Sequence, residues 1–144
     1  MKNKCSFRLS GLCVLLITSS AVQANDWMLL VETSLGEVRM DPGGVSKNGS
    51  FTQGWFSYDF KKQQRLTKPD DVLFSQRKDK VQVNCNTYQF GIIQSDFYDQ
   101  GKLTYSQPTE ADKIRYVEVK PDTMALKLFE KLCPGAKPPV ETAK

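Results

Sequence analysis

Apolar residues recur at every second position along much of the chain, the period of a strand with one buried face. In residues 51–60, Phe56, Tyr58 and Phe60 share one parity while Ser57 and Asp59 share the other. From residue 72 to 84 the odd positions include Leu73, Val81 and Val83 and lead to Cys85, whereas the even ones include Gln76, Lys78, Lys80 and Gln82. That alternation predicts a strand with Leu73 and Cys85 on the core face and the lysines in water. Residues 87–93 are apolar on both parities (Tyr88, Phe90, Ile92, Ile93), which predicts a central strand covered on both sides. Shorter runs at 27–31 and 37–40 about Gly36, and at 102–106 and 114–119, predict further strands.

Turn chemistry separates these runs. Asp41-Pro42-Gly43-Gly44 breaks the ladder, because Pro42 has no N–H to donate. Asn48-Gly49 predicts a tight hairpin with positive φ at both central residues. Residues 61–71 are polar, contain a proline and lack a period, so they predict an exposed loop, and residues 96–101 predict a turn. Only one stretch has the helical period. After Pro121-Asp122-Thr123, which offers capping oxygens, Ala125, Leu128, Phe129 and Leu132 fall on one face. Pro134-Gly135 ends the helix just after Cys133. The fold class is therefore α+β: an antiparallel sheet of about six strands with a C-terminal helix.

The ends change how composition is read. Lys2, Lys4 and Arg8 precede a short apolar run at 9–17, and Val22-Gln23-Ala24 fits a cleavage site, so residues 1–24 read as a signal peptide. Cleavage after Ala21 is the alternative. The run is shorter than the ~20 residues of a membrane-spanning helix. Cys13 follows Leu12 inside the apolar run, which is not the setting of a lipid-anchor cysteine. The expected organisation is one domain over 25–135 and a flexible tail over 136–144. The full chain carries +4, but removal of the leader leaves 17 Lys+Arg against 16 Asp+Glu. Near-neutrality gives no argument for a nucleic-acid or membrane partner. Two of the four cysteines, Cys5 and Cys13, leave with the signal. An exported chain with two cysteines predicts a disulfide, Cys85–Cys133, which staples the helix to the sheet.

The chain has no histidine, which excludes Ser-His-Asp and Cys-His catalysis and imidazole-based zinc sites. It also lacks a P-loop, a dinucleotide-binding glycine pattern and an EF-hand loop. Asp96 and Asp99 would have to face one cleft to act as a carboxylate pair, and they read instead as turn residues. No catalytic residue, cofactor or metal is expected, and the chain does not read as an enzyme. The basic residues Arg65 and Lys68 in the predicted loop, with Arg77, Lys78 and Lys80 in the strand, form the candidate surface for a protein partner. The competing reading is a solvated edge whose lysines discourage strand-to-strand aggregation.

Ser75, Asn84-Cys85 followed by Tyr88, Ser95-Asp96-Phe97-Tyr98-Asp99 with Gly101, and Pro121-Asp122-Thr123 through Cys133 together resemble the surface-adhesin protein E family. With more generic agreement in the first half, the resemblance covers about residues 27–133. It implies an antiparallel sheet, a C-terminal helix stapled by Cys85–Cys133, and no catalysis. It further implies action at the bacterial surface, binding of host vitronectin and laminin, and self-association as a homodimer. Two departures stand out. The family adhesin is lipid-anchored, and it places basic residues a few positions before the serine matched by Ser75, where this chain has Asp70 and Asp71 with Lys68 and Arg65 further out. The expectation is an exported, non-enzymatic binding domain at the cell surface or secreted. The alternative is a soluble periplasmic accessory protein that binds an envelope partner.

Overall fold

The computed structural model describes residues 26–68 and 71–136. The predicted signal peptide (1–24) and most of the predicted tail (137–144) lie outside the described residues. Eight antiparallel strands form one sheet: β1 (Met28–Glu32), β2 (Gly36–Met40), β3 (Ser46–Asn48), β4 (Phe51–Leu66), β5 (Val72–Asn84), β6 (Gln89–Asp99), β7 (Lys102–Pro108) and β8 (Val117–Glu118). The order is β1-β2-β4-β5-β6-β7, with β3 beside β4 and β8 beside β6. One helix, α1 (Met124–Leu132), follows. The expected class holds, with more strands than the six anticipated.

Four local expectations are corrected. Residues 61–66 are not a loop, because β4 continues to Leu66 and pairs Gln64 with Phe74, Arg65 with Leu73 and Leu66 with Val72. Here β4 and β5 pair only with each other, and backbone pairing does not require an apolar period, so the polar side chains give no periodic signal. The ladder slips between Asp59 and Gln64. Beyond the slip, Phe74 turns inward, whereas Leu73 is 40% exposed rather than on the core face. Residues 96–99 are strand, not turn; the reversal is confined to Gln100 and Gly101, whose φ values of 49° and 76° suit a tight hairpin. The strand expected over 114–119 shrinks to the two residues of β8.

Alternation sends Val38, Met40, Phe56, Val81 and Val83 to the face that α1 covers with Leu128, Phe129 and Leu132. Phe56 and Phe129 are fully buried. The Thr123 hydroxyl caps α1 by accepting from the Leu126 N–H at 3.3 Å, which satisfies one of the helix's free donors. Tyr88 stacks on Phe129 at 5.4 Å between centroids. Cys85 and Cys133 form the expected disulfide across a Cα–Cα distance of 5.6 Å. An aromatic extension of this core runs along the far end of the same face, with Phe74 edge-to-face against Phe60 and Phe97, and Phe97 tilted against Tyr105.

Close approach of helix to sheet depends on a missing side chain. A Cβ on Gly54 would stand 2.6 Å from Leu132 Cδ2. Gly54→Ala therefore overpacks this contact and is expected to cost about 1–3 kcal/mol. Urea-unfolding midpoints check this, and an unchanged midpoint would mean that α1 does not pack where it is described.

Candidate functional site

The face of the sheet turned away from α1 is built from the opposite parity. Its register sets side chains in rows across four strands. Glu37, Asp59, Gln76 and Tyr98 form one row, and Arg39, Ser57, Lys78 and Asp96 form the next. Trp55, Lys80 and Gln94 form a third. Where the first face alternates apolar groups, this one alternates ions, amides and aromatic rings.

Trp27, just ahead of β1, reaches this face. Lys78 Nζ lies 5.3 Å from the centre of the Trp27 ring and 4.6 Å from that of Tyr98. Lys80 Nζ lies 6.0 Å from the Trp55 ring centre. Ammonium groups in such positions are held by the ring quadrupole. No described carboxylate forms an ion pair with either lysine.

The carboxylates of the face are held by hydroxyl, amide and backbone donors and, for Glu37 and Asp59, by Arg39. Asp59 accepts from Ser57 Oγ at 3.3 Å and from Gln76 Nε2, and Arg39 Nε stands 3.7 Å away. Asp96 is 9% exposed and accepts from Gln94 Nε2 at 3.0 Å and from Ser106 Oγ. Asp41 accepts the Gly43 N–H at 3.0 Å. The Arg39 guanidinium pairs with Glu37, whose hydrogen bond and charge raise its pKa above the ordinary value. Partial burial, then the Asp96 charge, raises the Tyr98 phenol. Two hollows open here. One of about 400 Å³ is lined by Trp27, Arg39, Ser57, Asp59, Gln76 and Lys78. The other, about 220 Å³, is lined by Trp27, Asp41, Trp55, Lys78, Asp96 and Tyr98.

The five basic candidates separate. Lys78 and Lys80 share the open face. Arg77, adjacent in sequence, points to the other face, where its Nη2 lies 3.0 Å from Asp79 Oδ2 and its guanidinium stacks 4.6 Å from the Tyr58 ring centre. Arg65 is exposed at the end of the β4–β5 hairpin and holds Asp71 through Nη1 at 2.7 and 3.0 Å. Lys68 is exposed in the connection beyond it. Asp96 and Asp99 do not converge, since an odd separation along β6 sends them to opposite faces, and Asp99 instead accepts from Gln63 at 3.0 Å.

Both tryptophans of the chain belong to this face, and sequence reasoning did not single them out. In the sequence Trp27 is only the first residue of an apolar run. The available signal was parity: Trp55 alternates with Phe56 and so shares its side with Ser57. Among the described residues no group of three His, Cys, Asp or Glu side chains is placed to hold a metal ion. No described helix is long and apolar enough to cross a membrane. Fixed carboxylates, ring-bound lysines and open hollows suit binding.

The model of the surface-adhesin protein E family matches residues 27–134. No curated protein sequence matches the chain. Among solved structures, crystal form II of Haemophilus influenzae protein E covers 80% of this chain and 91% of its own at 13% identity, with a TM-score of 0.56. Another structure of Haemophilus influenzae protein E gives 16% identity, 80% and 88% coverage and a TM-score of 0.55. Protein E from non-typeable Haemophilus influenzae gives 13% identity, 79% and 78% coverage and a TM-score of 0.54. At these identities the likeness to solved structures is one of fold. The family match spans the strands, the helix and both bridged cysteines, and the chain belongs to the surface-adhesin protein E family.

Proposed function

We propose that this protein is an exported, non-enzymatic adhesin domain that engages a protein partner through the sheet face opposite α1. The observation that carries this reading is the pair Lys78 and Lys80, seated among Trp27, Tyr98 and Trp55 at the middle of an open face. Aromatic side chains flanked by fixed charges are the side chains that dominate protein interfaces when truncated. Arg65 and Lys68 stand apart from it, exposed towards the end of the β4–β5 hairpin, where they add steering charge. Arg77, although adjacent to Lys78, contributes to the packed face instead.

Host vitronectin and laminin are the partners that the family resemblance implies, and a homodimer is the implied assembly. The outer edge of β1 has no partner strand among the described residues, and Leu29 is 50% exposed there. That edge is the surface proposed for self-association. Binding of the protein from residue 25 onward to immobilised vitronectin and laminin tests the reading. Lys78→Glu with Lys80→Glu is expected to weaken capture on the order of tenfold, equivalent to about 1.4 kcal/mol. Capture unchanged by the double substitution would remove this face from the interaction. Protease shaving of intact cells supplies the second arm. Digestion from outside supports surface display, whereas protection in intact cells with release on osmotic shock would assign the protein to a periplasmic partner.

A further inference from the structure

We infer that the two hollows on the open face form one binding groove for an uncharged oligosaccharide. The inference rests on reading this face as the adhesive one, and it names the chemistry recognised there. Trp27 and Lys78 line both hollows, so the two adjoin across a shared wall. The larger, about 400 Å³, falls within the ~300–1,000 Å³ of typical ligand sites. A groove in two connected parts fits a ligand of at least two linked units better than a single compact one.

The lining selects the ligand class. Sugar rings present an apolar C–H face and a rim of hydroxyl groups. Trp27, Trp55 and Tyr98 supply flat apolar area to the first, since aromatic side chains combine large contact area with few rotatable bonds. Asp59 and Asp96 supply acceptors to the second. Each is held in place by Ser57 and Gln76, or by Gln94 and Ser106, so little ordering is required when a hydroxyl arrives.

The charges around the groove oppose other classes. A polyanion would meet Asp41, Asp59 and Asp96, and a polycation would meet Arg39 and Lys78. An apolar peptide would strip water from amides and ions without replacing their hydrogen bonds, which penalises each group left unpaired. A neutral polyol avoids all three penalties. Such a glycan has two sources, the host's glycoproteins and the bacterium's own envelope.

Trp27 and Trp55 are the two tryptophans of the chain, so their indole N–H signals report the groove directly. The protein from residue 25 onward, 15N-labelled, is titrated with neutral oligosaccharides released from vitronectin and, separately, with neutral fragments of bacterial envelope polysaccharide. Saturable shifts of both indole signals with one set are expected, and that set identifies the source. Trp27 precedes β1 and lies outside the strand ladder, so Trp27→Ala is expected to keep the thermal midpoint while weakening binding more than tenfold. Shifts that Trp27→Ala leaves intact would overturn the inference, as would the absence of shifts at millimolar concentrations of both sets. Capture of enzymatically deglycosylated vitronectin with unchanged affinity, together with no shifts from either set, would overturn it while sparing the protein-partner reading. Saccharide binding without capture of any matrix protein would do the reverse.

Discussion

Replacing Cys85 and Cys133 together by alanine is expected to lower stability by on the order of 4 kcal/mol. The bridge closes a loop of 47 intervening residues, and the chain-entropy cost of leaving that loop open in the unfolded state sets the estimate. That loss is large against the ~5–15 kcal/mol by which domains of this size are stable. Local structure sharpens the effect. α1 has nine residues, shorter than the ~12–15 at which isolated helices become even marginally stable. Its last turn ends on Cys133, which is 3% exposed and whose N–H donates to the Phe129 carbonyl at 2.7 Å. The bridge thus holds the end of α1 against the end of β5, while Leu128, Phe129 and Leu132 hold its middle. Alanine is the suitable replacement because a serine at Cys133 would bury a hydroxyl. Urea unfolding of the oxidised protein and the double variant measures the difference, and alkylation mass spectrometry of the non-reduced protein should find no free thiol at either position. Equal midpoints would mean that packing alone fixes the helix.

The strand period made half of each face legible. The lysines at the even positions, Lys78 and Lys80, are expected in water, and both lie on the face away from the helix. What they meet there comes from other strands: Trp27 from the N-terminal segment, Trp55 from β4 and Tyr98 from β6. Such juxtapositions depend on strand order and register, which a local pattern does not contain. The basic cluster illustrates the opposite error. Arg77 and Lys78 are neighbours in the chain, and grouping them by adjacency overlooked that successive strand residues point to opposite faces. Leu73 failed for a different reason, since parity carries only as far as the ladder is regular and the slip between Asp59 and Gln64 brings Phe74 inward. Residues 61–66 were illegible because their pairing with β5 is a backbone property, and backbone hydrogen bonds leave no mark on side-chain polarity. The helix and the staple were the most legible features, since a cap, a period, a stop and two cysteines all reported the same geometry.

Arg77→Met is expected to destabilise the domain by about 3–5 kcal/mol at neutral pH, because it strands a buried carboxylate. Asp79 is completely buried between β4 and β6, where Arg77 lies 3.0 Å from Oδ2 and Ser95 Oγ donates to Oδ1 at 2.7 Å. Burial raises the Asp79 carboxyl above its ordinary value, Arg77 and Ser95 pull it back, and Asp96 adds a further push upward. The same burial pushes the Tyr58 phenol, under the Arg77 guanidinium, up to about 12, with the Asp79 charge adding to it. The folded state therefore binds the Asp79 proton more tightly than the unfolded chain does. Its contribution to stability is fully present below the unfolded value of 3.8 and is lost as pH rises through the raised folded value. Removing Arg77 takes away the largest force lowering that folded value, so the variant gains more from acidification than the parent does. The stability gap between the two proteins should narrow steadily as pH falls from 7 toward 4, where Asp79 becomes protonated in the variant. Urea-unfolding free energies across that range measure the gap. Asp79→Asn combined with Arg77→Met should flatten the Asp79 part of the dependence, because the buried carboxyl that Arg77 neutralises is then gone. A gap that stays constant with pH would mean that Arg77 acts through its packing on Tyr58 and not through the charge it neutralises.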